Sequence, residues 1–239
     1  MNLINSYEDI KRAESYSKLQ FTGTYYLAFR DLPMLIAKYV RGNRAVDFGC
    51  GAGRSTRFLQ SLGFKTLGID ISAEMIKLSR QLDPEGEYFE IEDGVLNDVP
   101  SNAFDLILSA FTFDNVPTKS KKIGLFHEFR RVLKPGGYIL NLVSSPELYV
   151  NDWVSLKTSC FPENLIAGSG DRVRTIIVDT DDHRPVEDEL CTERDYREIY
   201  AIAGFALNEI HKPLALPHEP YRWVNEKNIA PWTIYVLKW

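Results

Sequence analysis

The sequence has little that would suit a nucleic acid, a membrane or the outside of the cell. Its 28 Lys and Arg residues are outnumbered by 33 Asp and Glu residues, and the net charge is −5. No run of basic residues is long enough to follow a phosphate backbone, so we expect no nucleic-acid partner. No apolar stretch approaches the length of a membrane span, and the N-terminal residues are polar, without the apolar core of a signal peptide. We therefore expect a cytoplasmic protein without a membrane partner.

Cysteine is also scarce, which argues against a disulfide framework. Cys50, Cys160 and Cys191 are odd in number and do not have the spacing of metal ligands. We expect reduced thiols and no metal site. The 239 residues are 44% hydrophobic and 26% charged, as in an ordinary globular protein. This length suffices for one large α/β domain, so we predict that residues 1–239 form a single domain.

The most informative stretch is AVDFGCGAGRST, from Ala45 to Thr56. It predicts a short buried strand, a tight glycine-rich turn and the start of a helix, which together form a nucleotide-binding edge. A dinucleotide fingerprint would place its third glycine where Arg54 stands. Asp47 precedes the first glycine, and its charge would be unfavourable beside a pyrophosphate. The turn, with Gly49, Gly51 and Gly53, therefore favours a nucleotide ligand that carries a cation.

The pattern from residue 44 to residue 143 alternates between strand and helix. This alternation is typical of a parallel sheet with helices on both faces, whose ligand-binding loops gather at the carboxyl edge. Helices are expected in residues 1–42, with a break at Pro33. The regular alternation fails over residues 144–192, where we expect a partly helical stretch and two strands. It returns with a helix at 193–203 and strands at 206–211 and 232–238.

Four segments carry a family resemblance: VDFGCGAGRST, LGIDIS, FDLILSAF and EFRRVLKPGGYILNLV. In order and spacing they resemble the successive motifs of class I S-adenosylmethionine-dependent methyltransferases. The resemblance implies an α/β, Rossmann-like, doubly wound sheet of seven strands, mostly parallel, with the last strand antiparallel. It also implies an N-terminal helical cap (residues 1–42), a lid insertion after strand 5 (residues 144–192), S-adenosylmethionine as cofactor and S-adenosylhomocysteine as product.

The candidate cofactor residues follow the strand ends. Asp70 ends the second strand, about 20 residues beyond the glycine turn, where a carboxylate can accept the ribose hydroxyls. Arg30 suits the methionyl carboxylate, although many such arginines are surface residues. Apolar residues would form the floor under adenine, and an aromatic face would stabilise the sulfonium. The full set of expected cofactor contacts is Tyr25, Arg30, Asp47, Gly49, Gly51, Gly53, Asp70, Ile71, Met75, Asp93, Gly94, Ser109 and Phe111.

The acceptor is expected to be a small, planar aromatic or heterocyclic molecule methylated at nitrogen or oxygen. A phenol or alcohol would profit from a base, and His183, His211 and His218 are candidates, His218 first; a ring nitrogen would need none. Aromatic side chains would line the acceptor site or simply pack in the core. The expected substrate contacts are Tyr26, Phe113, Tyr149, Trp153, His183 and Trp223. A protein or tRNA methyltransferase and a non-catalytic cofactor-binding module remain alternatives.

Overall fold

A computed structural model describes residues 9–92 and 95–239. The helices are α1 (Ile10–Ser17), α2 (Thr24–Arg30), α3 (Leu32–Tyr39), α4 (Arg54–Ser61), α5 (Ala73–Leu82), α6 (Thr112–Asn115), α7 (Lys119–Val132) and α8 (Glu193–Ile202). The strands are β1 (Arg44–Phe48), β2 (Lys65–Asp70), β3 (Glu87–Glu90), β4 (Phe104–Ala110), β5 (Leu133–Ser144), β6 (Leu156–Lys157), β7 (Arg172–Ile177), β8 (Val186–Glu189), β9 (Ala206–His211) and β10 (Trp232–Lys238).

The central sheet has seven strands in the order β3-β2-β1-β4-β5-β10-β9. Strand β10 is antiparallel to both of its neighbours, while the other pairings in this sheet are parallel. The expected fold is therefore confirmed, including the antiparallel last strand. Strand β1 lies between β2 and β4, so the direction of winding reverses at its carboxyl end. Such a reversal opens a crevice in which α/β proteins bind ligands.

The sheet is covered on both faces, which explains why its central strands are apolar throughout. On β4, Leu106 and Leu108 pack into a core shared with α2 and α3. Ile107 packs on the opposite face with Phe126 and Phe129 of α7. Each strand therefore buries alternate side chains in two different cores, as in doubly wound folds. Within residues 9–92 and 95–239, no helix is both long and apolar enough to cross a membrane.

The segment between β5 and α8 folds against the N-terminal helices. Strands β6, β7 and β8 form an antiparallel sheet, here called the insertion sheet, and a polar turn joins β7 to β8. Two 3₁₀ turns, Pro146–Val150 and Pro162–Ile166, stand where we expected an α-helical part. The Nε atom of Arg12 in α1 lies 3.1 Å from Asp182 Oδ2 in the turn after β7. This ion pair joins α1 to the insertion sheet.

Candidate functional site: a glycine-lined cleft at the carboxyl edge

The three glycines after β1 have different roles although all have positive φ, at 72°, 52° and 80°. A Cβ atom on Gly49 would lie 2.1 Å from Thr112 Oγ1, and one on Gly53 would lie 2.6 Å from the Tyr88 hydroxyl. Both positions therefore require glycine because of packing within the protein. Among the described residues, a Cβ atom on Gly51 would meet only Met75 Sδ, at an ordinary 3.9 Å. The space above Gly51 is therefore available to a ligand.

Asp70 holds the glycine turn from the neighbouring strand. Its Oδ2 accepts a hydrogen bond from the backbone N–H of Gly51 at 2.8 Å, and its Oδ1 accepts one from Ser72 N–H at 2.9 Å. Burial raises the pKa of Asp70, and these two backbone donors oppose the rise. Each carboxylate oxygen keeps a second lone pair. Asp70 can therefore fix the turn and still accept hydroxyl groups of a ligand.

Asp47 is fully buried and anchors the start of α4 to β1. Its Oδ2 accepts hydrogen bonds from Ser55 Oγ at 2.7 Å and from Thr56 Oγ1 at 2.6 Å. Its Oδ1 has no partner among the residues that the structure describes. Burial raises the pKa of Asp47 to about 6. A nearby cation would favour the ionised form and compensate the unpartnered oxygen.

A cleft enclosing about 390 Å³ lies beside the glycine turn, partly open to solvent. Helix α1 covers part of this edge, since its Ala13 packs on Ala52 and Met75. We call this space the glycine cleft. Its lining combines backbone of the turn with aromatic and hydroxyl side chains: Tyr16, Ser17, Phe29, Gly49, Cys50, Gly51, Ala52, Arg54, Ser55, Ala110 and Phe111.

Arg54 places a cation in the wall of this cleft. Its guanidinium carbon lies 5.3 to 5.9 Å from four aromatic ring centres, those of Tyr16, Phe21, Tyr25 and Phe29. Its Nη1 donates to the carbonyl of Gln20 at 3.2 Å. Sequence reasoning used Arg54 only to argue against a dinucleotide. The sequence did contain a signal that Arg54 has a special role. Arg54 is the first residue of α4, and the helix dipole disfavours a cation at that position.

Comparison with known proteins agrees with this geometry. Residues 46–141 match a family model described as a methyltransferase domain. The family resemblance is thereby confirmed for this segment. Residues 46–141 are a methyltransferase domain by this match.

Two curated relatives each match part of the chain. The 2-methyl-6-phytyl-1,4-hydroquinone methyltransferase of Synechocystis sp. is 32% identical over 102 residues, 41% of this chain and 31% of that protein. The demethylmenaquinone methyltransferase of Bacillus velezensis is 32% identical over 129 residues, 51% of this chain and 54% of that protein. The chain thus spans about half or less of the length of these relatives.

A solved structure resembles the fold over most of the chain. It is an S-adenosylmethionine-dependent methyltransferase from Mesorhizobium loti, with a TM-score of 0.65 and 18% identity. The superposition covers 89% of this chain and 98% of that one. The likeness therefore extends well beyond the methyltransferase domain and, at this identity, concerns the fold.

Some expected cofactor residues of the methyltransferase domain lie beside the glycine cleft. Phe111 lines it, at the exit of β4, with its ring centre 6.3 Å from that of Phe29. Ser109 is fully buried on β4, and its hydroxyl has no partner among the described residues. Met75 is buried beneath α1, and Ile71 is half-buried after Asp70. Asp93 and Gly94 lie outside the described residues.

The guanidinium of Arg30, which we expected to bind a carboxylate of the ligand, is paired within the protein. Its Nε lies 2.7 Å from Asp31 Oδ1, and its Nη1 lies 2.6 Å from Glu219 Oε1. It also donates to the carbonyl of Leu214 at 3.1 Å. Arg30 therefore joins the N-terminal helices to the loop between β9 and β10. Arg54 is the arginine that reaches the cleft.

Three residues that we expected to contact the substrate do not line the glycine cleft: Phe113, Tyr149 and Trp153. Phe113 is fully buried on the α7 face, with its ring centre 4.7 Å from that of Phe126. Tyr149 donates to Asp188 Oδ2 at 2.9 Å, and Trp153 Nε1 donates to the carbonyl of Leu148 at 2.8 Å. All three side chains are core residues. Tyr149 and Trp153 do not share a helical face, since the 3₁₀ turn ends at Val150.

Other aromatic residues expected at the site pack beside or away from it. Tyr25 is buried behind the cleft, with its ring edge on Phe111 at 5.7 Å between centres. Tyr26 contacts Tyr221 at 5.4 Å, and Tyr221 contacts Trp223 at 4.9 Å. This row of three rings does not contribute to the lining of the glycine cleft. Tyr26 and Trp223 are therefore packing residues in this structure.

The histidines do not enter the glycine cleft either. His218 is exposed in the loop between β9 and β10, and His183 is exposed in the turn between β7 and β8. His211 Nε2 lies 2.7 Å from Asp31 Oδ2, within the Arg30 ion-pair cluster. This arrangement gives no support to His218 as a base, because its side chain is at the surface.

Proposed function

We propose that this protein transfers a methyl group from S-adenosylmethionine to a nitrogen or oxygen atom of a small, planar aromatic or heterocyclic acceptor. The observation that carries this proposal is the space above Gly51, where the nearest atom of the described residues to an added Cβ is Met75 Sδ, at 3.9 Å. Arg54 lines the cleft, Asp70 accepts the N–H of Gly51, and Asp47 lies behind Ser55, whose hydroxyl it accepts. Charged groups of both signs are therefore close to this space. These two carboxylates and one guanidinium match an amino-acid nucleoside better than they match a pyrophosphate.

The residues present fit the parts of S-adenosylmethionine. Arg54 would bind the methionyl carboxylate through charge-assisted hydrogen bonds. The unpartnered Oδ1 of Asp47 would face the ammonium group, directly or through water. Asp70 would accept the ribose hydroxyls with its remaining lone pairs. Phe111 would present an aromatic face to the sulfonium.

The chain itself has to align the two reactants and exclude water. S-adenosylmethionine, when bound, supplies a methyl group already activated by a sulfonium leaving group. An acceptor lone pair would form the new bond in line as the carbon–sulfur bond breaks, with the electron pair remaining on sulfur. The proton of a hydroxyl or amine acceptor would leave to solvent. Alignment of the two reactants in a site that excludes water can supply much of the rate enhancement of methyl transfer. No nucleophilic side chain is therefore required.

The names of the two curated relatives favour a ring-shaped acceptor. One is a hydroquinone methyltransferase and the other a demethylmenaquinone methyltransferase. The negative net charge and the absence of a basic run favour a small acceptor over tRNA. These points support the class of acceptor, and the atom that is methylated remains part of the proposal.

Two measurements test this function. Isothermal calorimetry with S-adenosylhomocysteine and with NADH should show saturable binding of the first compound alone. In the second measurement, the protein is incubated with radiolabelled S-adenosylmethionine and one class of candidate acceptor at a time: hydroxylated rings, ring nitrogen compounds, bulk tRNA or unfractionated protein. We expect the label to appear in a small ring compound. Binding of NADH instead would overturn the assignment of S-adenosylmethionine as the methyl donor. Preferential labelling of tRNA or protein, or binding without any labelling, would overturn the acceptor assignment.

A further inference from the structure

Helix α1 covers one side of the glycine cleft and is held there by contacts with other elements. Tyr16 and Ser17, in its last turn, belong to the lining of that cleft. The buried residues of α1 are Ala13 and Ser15, and both are small. A helix of eight residues is also too short to be stable in isolation. The position of α1 over the cleft therefore depends on its neighbours.

The C-terminal end of α1 is anchored beside the glycine cleft. Leu19, which follows the helix, is 2% exposed and packs in the core shared with α2 and α3. Arg54 Nη1 donates to the carbonyl of Gln20 at 3.2 Å, and the Arg54 guanidinium carbon lies 5.9 Å from the ring centre of Tyr16. This end of the helix therefore adjoins the guanidinium that we assign to the carboxylate of the methyl donor.

The N-terminal half of α1 is held from the other side by the turn between β7 and β8, residues 178–185. Asp182 Oδ2 accepts a hydrogen bond from Arg12 Nε at 3.1 Å, and the Asp182 N–H donates to Ser15 Oγ at 2.9 Å. Arg12 Nη2 also donates to the carbonyl of Pro185 at 3.2 Å. The side chains of Arg12 and Asp182 are each 14% exposed, so solvent screens this pair less than a surface pair.

Asp182 is also the centre of the ion pairs within this turn. Arg184 Nε donates to Asp182 Oδ1 at 2.8 Å, and Arg184 Nη2 donates to Asp182 Oδ2 at 2.8 Å. Arg184 Nη1 donates to Asp9 Oδ2 at 2.8 Å, and Asp9 caps α1 by accepting the Arg12 N–H. Hydrogen bonds from Arg184, and then from Arg12, lower the pKa of Asp182 against the opposing effect of burial. Asp182 is therefore ionised at neutral pH.

We propose that Asp182 is a positioning residue for the methyl donor, because it holds α1 so that Tyr16 and Ser17 keep their places in the wall of the glycine cleft. This inference rests on the proposed function, since it concerns the same donor site. Arg12 and Tyr16 are four residues apart, so they lie on one side of the helix, one turn from each other. Whenever α1 leaves its place, the wall is incomplete. The apparent affinity for the donor then falls in proportion to the fraction of molecules with α1 in place.

The insertion thereby takes part in donor binding although it lies outside the methyltransferase domain. The turn of residues 178–185 follows the end of that domain, at residue 141, by more than one strand. Its polar contacts reach the one helix that supplies both Tyr16 and Ser17 to the cleft. Loss of these contacts should weaken donor binding without any change in the glycine turn itself.

The test compares two neighbouring aspartates of the turn. Asp182→Asn keeps the size of the side chain and removes the charge that faces Arg12 and Arg184. Asp181→Asn is the matched control, because Asp181 pairs with Lys18 at 3.0 Å but the two side chains are 81% and 69% exposed. Such exposed pairs contribute little to stability. Arg12→Met removes the partner of Asp182 on α1, alone and combined with Asp182→Asn.

Hydrogen exchange of the unliganded whole protein follows the amides of residues 13–17, and calorimetry measures the affinity for S-adenosylhomocysteine. In Asp182→Asn we expect exchange of α1 to be roughly fivefold faster or more, because the helix opens locally more often. The affinity should fall about tenfold, as for the loss of one hydrogen bond between charged groups. The double variant with Arg12→Met should be no weaker than the weaker single variant, because both changes break the same pair. Asp181→Asn should match the unmodified protein in both measurements.

Thermal unfolding shows that each variant is folded. Unchanged exchange of α1 in Asp182→Asn would overturn the positioning role, as would faster exchange with an unchanged affinity for S-adenosylhomocysteine. Equal losses in Asp181→Asn would also overturn it, because the effect would then come from net charge. Failure of S-adenosylhomocysteine to bind the unmodified protein would overturn the proposed function, while the exchange of the unliganded variants would still decide whether Asp182 holds α1.

Discussion

Replacement of Gly51 by alanine should separate ligand binding from folding. The added methyl group would point into the glycine cleft, where its nearest neighbour is Met75 Sδ at 3.9 Å. The protein itself therefore has room for it. A ligand seated against the turn does not, and an overpacked contact costs roughly 1–3 kcal/mol. Since about 1.4 kcal/mol corresponds to a factor of ten, the affinity for S-adenosylmethionine should fall about ten- to a hundredfold.

The backbone supplies a matched control for the same substitution. Gly51 and Gly63 both have positive φ, 52° and 89°, and an alanine at Gly63 would meet nothing within 4 Å. A left-handed conformation costs a residue with a side chain roughly 1–2 kcal/mol, so both variants should lose a similar free energy of unfolding. Gly63 follows α4 at the end remote from the cleft. Only Gly51→Ala should therefore lose affinity.

Calorimetric titration with S-adenosylhomocysteine and urea unfolding measure these two quantities on the same samples. The reasoning would be refuted if Gly51→Ala bound like the unmodified protein, because the open space above Gly51 would then not receive the nucleoside. It would also be refuted if Gly63→Ala lost as much affinity, because the effect would then come from backbone strain alone.

The remaining predictions concern single side chains of the site. Asp70→Asn should weaken S-adenosylhomocysteine binding by roughly 1–3 kcal/mol in calorimetry, because a ribose hydroxyl loses its acceptor; unchanged affinity would remove Asp70 from the site. Arg54→Met should lower that affinity about tenfold, as expected for a lost charged hydrogen bond of about 1.5 kcal/mol or more. Arg30→Met should lower the melting temperature but leave the affinity within twofold, and the reverse pattern would contradict the assignment of the two arginines. His218→Ala should leave methyl transfer within twofold, whereas a loss of a hundredfold would restore it as the base. Asp47→Asn should flatten the pH dependence of the free energy of unfolding between pH 4 and pH 6.

The sign of the last effect follows from the raised pKa of Asp47. Its folded value is about 6 and its ordinary value 3.8, so between these values the folded protein binds more protons than the unfolded chain. The contribution of Asp47 to the free energy of unfolding is therefore fully present below pH 3.8 and is lost as the pH rises through about 6. The total decline is about 3 kcal/mol for a shift of this size. Urea unfolding at several pH values measures it, and an identical slope in Asp47→Asn would contradict the assignment.

Local sequence signals predicted the main elements because those elements depend on near neighbours. The alternation of strands and helices and the glycine turn are both confirmed. Ser72 caps α5, since its hydroxyl accepts a hydrogen bond from Met75 N–H. Asp70 also stands where the spacing placed it, at the end of β2. Each of these features is determined by residues a few positions apart or by one strand and the turn that follows it.

Only the tertiary structure decided which side chains reach the cleft. Arg30 and Arg54 could each bind a carboxylate, but Glu219, far along the chain, occupies Arg30, while aromatic rings from α1 and α2 surround Arg54. Tyr149 likewise turns into the core because Asp188 accepts its hydroxyl across the insertion. Periodicity determines which face a residue occupies within its own element. It carries no information on the distant partner that satisfies the residue's charge or hydrogen bond, and that partner sets where the side chain points.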